Sequence, residues 1–146
     1  MADLGSASVI VDREGRVLLV KHGYGRLNWE IPGGGAEPHE SAEDTARREA
    51  REEVGIGLEI ERLSGVYWDP VWSEGRGLHH FVFAARIAAV SGEPRVADQN
   101  EITDLGWFWP AALPRPISDF TVRRIEDALS GRPAALTLIA ERIWLT

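Results

Sequence analysis

Three glutamates, Glu49, Glu52 and Glu53, fall within five positions of one another, shortly after the glycine run Gly33-Gly34-Gly35. Like carboxylates repel, so such a grouping calls for a cation. Carboxylates beside bare backbone carbonyls make a hard-oxygen environment that suits Mg2+ or Mn2+. Magnesium completes its shell with waters and substrate phosphates. The chemistry on offer is the binding and activation of a polyphosphate.

The intervening chain must be a helix for those carboxylates to converge. Ser41 is placed to be its N-cap, with Asp44 three residues on in the capping-box position. Glu43 and Asp44 suit the first turn, where the helix dipole favours negative charge, and Gly55 and Gly57 end the helix. At 3.6 residues per turn, Glu49, Glu52 and Glu53 share an arc of roughly 100°. That arc borders the apolar stripe Ala42, Ala46, Ala50 and Val54. A solvated, ion-paired surface accounts for Glu43 with Arg47, Asp44 with Arg48, and Arg48 with Glu52, all i,i+4 partners. It does not account for Glu49 and Glu53, which are i,i+4 to each other with no cation three or four places away in the helix.

Around this helix the pattern is mixed. Residues 7–11 and 16–21 are β-branched runs about the turn signal "DREG" and read as a hairpin. Residues 27–32 form a short extended segment closed by Pro32. Further strands are expected at about 58–68, 78–88 and 104–109, the last stopped by Pro110. Residues 118–130 show helical spacing, with Val122, Ile125 and Leu129 on one face and a Ser118/Asp119 start. The tail fits a helix or an edge strand equally. Mixed strands with two separated helices imply an α/β sandwich, and the 146 residues are most simply one domain, 1–146.

Composition narrows the chemistry. There is no cysteine, which excludes disulfides, Cys-ligated zinc, iron–sulfur clusters and a thiol nucleophile. The formal net charge is −7, with fifteen arginines interleaved among acids and a single lysine, Lys21. That is not the basic stripe of a nucleic-acid binder, and an acidic protein handling phosphates needs metal ions to bring the two together. No signal peptide or membrane span is legible, so the expectation is a cytoplasmic protein acting on a small molecule.

Gly34, five residues, Glu40, seven residues, then Arg48-Glu49-Ala50-Arg51-Glu52-Glu53-Val54-Gly55-Ile56 resembles the Nudix box, with every fixed position filled. The flanking "WEIPGG" and "EITDLGWFWPAALP" are similar to the family as well. The resemblance implies a Nudix fold, a mixed β-sheet between helices in an α/β/α sandwich. It also implies metal-dependent hydrolysis of a nucleoside diphosphate linked to another group: a (d)NTP, ADP-ribose or another sugar nucleotide, or a dinucleoside polyphosphate. By position, Glu49, Glu52 and Glu53 would be metal ligands, joined by the Gly33 carbonyl. Arg48 would orient a catalytic glutamate and Glu40 would brace the loop–helix junction. Glu49 or Glu101 would be the general base. Glu30 lies where Nudix proteins contact substrate, and Pro70 stands near a proline found in members acting on ADP-ribose. The family also suggests a homodimer. The competing reading is a Nudix domain that senses nucleotides without turnover.

Several residues carry both a binding and a packing reading. Trp68 and Trp72 could stack on a base or ribose, or pack in the core or rim; Tyr67 is similarly open. Of Trp107 and Trp109, alternating on a strand, one is expected in the core. His39 reads as a solvent-exposed loop residue, and His79 and His80 as structural, although one could reach a cleft. Arg86 would face phosphate or pair on the surface.

Overall fold

The computed structural model describes residues 2–72, 75–138 and 141–146. Strands β1 (Leu4–Ile10) and β2 (Val17–His22) are the two β-branched runs. The turn between them forms around Asp12, whose Oδ1 accepts from the Glu14 and Arg16 amides at 2.9 and 2.8 Å. The hairpin read from the sequence does not continue beyond it. The Val11–Val17 bridge joins the two runs, and each strand then takes other partners. Both are largely buried on both faces, as central strands with a neighbour on each edge are.

Strand β1 pairs antiparallel with β4 (Gly33–Gly35) and parallel with β6 (Leu78–Ile87), which pairs antiparallel with β5 (Leu58–Asp69). Strand β2 lies between β3 (Trp29–Glu30) and β7 (Ile102–Phe108), antiparallel to both. The tail is strand rather than helix. Its β9 (Ala135–Leu138) adds in parallel to β5, and its β10 (Trp144–Leu145) adds antiparallel to β8 (Ile117–Ser118), itself beside β3. The β layer is therefore two five-stranded mixed sheets, ordered β4-β1-β6-β5-β9 and β10-β8-β3-β2-β7.

Helices α1 (Ala42–Val54) and α2 (Asp119–Leu129) cover opposite faces of this layer. Alternate residues of the central strands divide between them. Ile10, Leu18, Val20, Phe83 and Ala85 pack with Ala46, Ala50 and Val54 of α1. Ala7, Val9, Val17, Leu19, Val82 and Ala84 pack with Phe120, Ile125 and Ala128 of α2. This is an α/β/α sandwich whose middle layer is buried on both sides. Among the described residues, no helix is long and apolar enough to cross a membrane.

Three expectations need correction. On α2, Ile125 is buried and Val122 packs against the core as expected, but Leu129 is exposed, and Phe120 and Ala128 complete the inner face. The large ring of Phe120 fixes the rotation, and it carries Thr121 and Arg124 inward with it. Tyr67 is fully buried on the α2 side, where its hydroxyl donates to Asp127 Oδ2 at 2.6 Å and its ring meets Phe120 edge-on. It is a packing residue, out of reach of a ligand. Trp68, one step along β5, points to the other face of the sheet, against His79 and the bare backbone of Gly77. Period-2 alternation puts only one of two adjacent strand residues on a given face.

Removing the Tyr67 hydroxyl should therefore cost stability and not substrate affinity. Tyr67→Phe is expected to lower unfolding free energy by about 1–3 kcal/mol, the scale of leaving a buried hydrogen-bond partner unsatisfied. Urea denaturation and steady-state kinetics check this, and a raised KM at unchanged stability would contradict it.

Candidate active site

The site begins with how closely α1 approaches β4. The helix is fixed at both ends. Ser41 Oγ accepts from the Asp44 amide at 3.0 Å while Asp44 Oδ2 accepts from the Ser41 amide, and Gly55 caps the C-terminus at φ 69°. With its rotation fixed by the buried alanines, the helix turns Glu49 and Glu53 toward the glycine strand. A Cβ on Gly34 would stand 2.5 Å from Glu49 Oε1, and one on Gly33 would collide with Ser6 and Ala7. These glycines serve close approach rather than unusual backbone angles.

Arg48 organises the rim. Its Nε and Nη2 grip Glu40 Oε2 and Oε1 at 2.8 and 3.0 Å, a two-point pairing that favours planar guanidinium. Nη2 also donates to the Gly35 carbonyl at 2.9 Å. Nη1 holds Glu49 Oε1 at 2.9 Å and Glu52 Oε2 at 3.1 Å. Glu40 also accepts from the Glu37 amide and from Thr45 Oγ1. Hydrogen bonds from Arg48 and then the Glu37 amide hold its carboxyl down at about 2. Arg48 and Glu40 thus tie the loop, the strand and the helix into one frame around Glu49.

Glu53 is only 4% exposed. Its Oε1 accepts from the Gly33 amide at 3.3 Å, and its Oε2 is buried without a partner. Burial and then the Glu49 carboxylate push its pKa up to about 9, while burial also raises Glu49 against the pull of Arg48. Burying a carboxylate this way is costly unless a cation joins it. The oxygen-only donor set, with one buried oxygen unclaimed, fits a hard divalent cation. Among the described residues no three acidic or imidazole side chains already converge as a cage. A magnesium shell completed by water and phosphate does not need one.

Glu49, Glu53, Glu101, Gly33, Gly34, Glu30 and Trp72 line one cleft of about 350 Å3. Glu52 stands apart, its side chain 53% exposed and tethered to Arg48 outside that lining. Glu30 sits at the opposite wall, accepting from Arg124 Nη2 at 2.6 Å and from Thr121 Oγ1 at 2.8 Å. Sequence reasoning missed Arg124, Arg142 and Tyr24 as cleft residues, and His80, read as structural, also lines the cleft. Phasing α2 on Phe120 would have revealed Arg124; nothing local marks Arg142. His39 and Arg86 are surface residues, Arg86 pairing with Glu61 at 3.5 Å.

Glu53 gives the metal-free protein a pH signature. Its folded pKa is raised from 4.5 to about 9, so the native state keeps a proton that the unfolded chain releases. Stability from this group is full below about 4.5 and is lost as pH rises toward 9. In EDTA, Glu53→Gln should remove that loss, so the variant gains on the wild type between pH 5.5 and 8 in urea denaturation, a window inside that span. A difference independent of pH would refute the buried, protonated state.

The sequence pattern described as the NUDIX domain matches residues 2–127. A Bacillus subtilis protein provisionally named an 8-oxo-dGTP diphosphatase is 32% identical over 127 residues, covering 87% of this chain and 80% of its own. A MutT-like protein of Streptomyces ambofaciens is 33% identical over 86% of this chain and 75% of its own. The crystal structure of a MutT NUDIX hydrolase from Burkholderia pseudomallei superposes with a TM-score of 0.72 at 33% identity, covering 87% of this chain and 98% of that one. An ADP-ribose pyrophosphatase from Streptococcus suis shares the fold at a TM-score of 0.68 and 19% identity, over 95% of this chain and 100% of that one. With this family pattern laid over the acidic cleft, the chain belongs to the NUDIX family of pyrophosphohydrolases.

Proposed function

We propose that this protein is a divalent-metal-dependent hydrolase of the diphosphate bond in a nucleoside triphosphate or a related nucleoside diphosphate derivative, acting as one domain over residues 1–146. The observation that carries the reading is Glu53, a buried carboxylate with an unclaimed oxygen at the wall of the cleft. The nucleoside triphosphate class is favoured by the names of the relatives that cover most of both chains, an 8-oxo-dGTP diphosphatase and a MutT-like protein. The ADP-ribose enzyme contributes fold alone at 19% identity. A sensor without turnover has no observation in its favour. The family's homodimer and a cytoplasmic setting complete the reading.

Glu53 and Glu49, with Glu52 at the rim and the Gly33 carbonyl, would hold Mg2+ or Mn2+. When bound, such ions neutralise the diphosphate and lower the pKa of a coordinated water. The protein residues do the rest. Arg48, itself fixed by Glu40, keeps Glu49 from turning away from the cleft. Burial raises the Glu49 carboxyl above its ordinary value, which strengthens it as an acceptor for the proton of an attacking water. Glu101 is exposed at the cleft mouth, a second acceptor farther from the frame.

The test is a panel of dNTPs, oxidised dGTP, ADP-ribose, GDP-mannose and diadenosine polyphosphates, with and without Mg2+ or Mn2+. Metal-dependent cleavage of nucleoside triphosphates is expected. Glu49→Gln should reduce kcat about 10²–10⁴-fold, the range for loss of a general base, and Glu101→Gln by much less. Equal losses would move the base to Glu101, and tight binding without turnover would establish the sensor instead.

A further inference from the structure

The family match ends at residue 127, but the cleft does not. Arg142, beyond that limit, lines the end opposite the acidic helix. Its Nη2 donates to Asp69 Oδ2 at 2.8 Å. Asp69 ends β5 and is 1% exposed. Its other oxygen accepts from the Val71 amide at 3.1 Å, shaping the turn that presents Trp72. The Arg142 guanidinium lies 5.2 Å from the Phe120 ring centre and 5.9 Å from that of Trp72. One buried carboxylate therefore sets the positions of both the tail guanidinium and the loop indole.

The charge at this end identifies the occupant. Arg142 is paired with Asp69, and Arg124 with Glu30 at 2.6 Å. Burial holds His80 down at about 4, so it is uncharged at neutral pH. The guanidiniums lining this end are already neutralised, which leaves little to attract a second phosphate. What remains open is a flat aromatic surface, Trp72 at 51% exposure, and two buried ring or guanidinium nitrogens without partners, Arg124 Nε and His80 Nε2. Arg124 Nε can only donate. A neutral planar group with acceptors on its edge satisfies both features, and a nucleobase is such a group.

We propose that Arg142, anchored on Asp69, is a specificity-determining residue that forms with Trp72 the seat for the substrate's nucleobase. This rests on the pyrophosphohydrolase reading only for its kinetic readout. The diphosphate then lies toward Glu49 and Glu53, and the base meets Trp72, the Arg142 guanidinium and the edge donor of Arg124, with His80 beside it. Lysine cannot replace Arg142, because an ammonium lacks the planar surface that stacks.

The experiment compares KM and kcat for dGTP and dATP with the inhibition constant of inorganic tripolyphosphate, which has no base. Arg142→Ala should raise nucleotide KM about 10–100-fold, the scale of one lost base-stacking contact, with kcat and the tripolyphosphate constant little changed. Arg142→Lys should restore little of it. Trp72→Ala, which leaves the Asp69 ion pair intact, should show the same split and guards against a folding defect in the arginine variant. A parallel rise in the tripolyphosphate constant would make Arg142 a phosphate ligand and overturn the proposal. An unchanged KM in both variants would overturn it as well. Quenching of tryptophan fluorescence by nucleotides needs no turnover. Quenching lost in Trp72→Phe and weakened in Arg142→Ala would support the base seat even if the wild type hydrolysed nothing on the panel, while quenching unaffected by either variant would refute it.

Discussion

Helix α1 can lie against β4 only because Gly33 and Gly34 have no side chains, and that approach takes Glu53 and Glu49 out of water. A helix packed one residue's width farther away would leave both carboxylates solvated and ordinary. Here Arg48 offsets part of the cost for Glu49, but its remaining donors are committed to Glu40, Gly35 and Glu52, and Glu53 keeps one oxygen without a partner. The imbalance makes the site receptive to an external cation, since an uncompensated buried charge is among the most expensive features a fold can hold. The rigid ends of α1 keep the helix from rotating the carboxylates back into solvent.

Opposite electrostatics at the two ends give the cleft a direction. The α1 end gathers Glu49, Glu53 and Glu101; burial raises the pKa of the first two, and the Glu101 charge raises both further. The α2 end contains as many charged groups, but its guanidiniums and carboxylates are joined pairwise. Cations are favoured on the first side. A neutral partner can approach the other without stripping an unpaired charge of water.

The acidic half was legible in the sequence because its determinants are local. Ser41, Asp44 and Gly55 define the helix ends, and the spacing of Glu49 and Glu53 against Ala46 and Ala50 defines the face. The other half was largely illegible. Tyr67 and Trp68 are adjacent aromatics on one strand, and periodicity alone does not say which faces the cleft; in the event neither does. The rotation of α2 was misjudged because Leu129 was given the weight that belongs to Phe120, and Arg124 was lost with it. The β1–β2 turn was visible, but its strands look alike whether they continue as a hairpin or part into separate sheets. That choice depends on β3, β4, β6 and β7, which lie far along the chain.

This difference in sequence distance has a functional corollary. The acidic end is built largely from residues 33–53, so a change there disturbs the capping, the glycine approach and the Arg48 frame together. The far end draws on β5, the turn bearing Trp72, α2 and the C-terminal segment, held together by pairs such as Asp69 with Arg142. Trp72 and Arg142 belong to this second end and make no contact with the acidic frame built on Arg48. Discrimination between substrates depends on differences in transition-state binding, and contacts remote from the reacting bond can supply those differences while the reaction itself is left alone. The two ends of the cleft are thus built by different parts of the chain, and the buried Asp69 carboxylate couples the C-terminal segment to the second end.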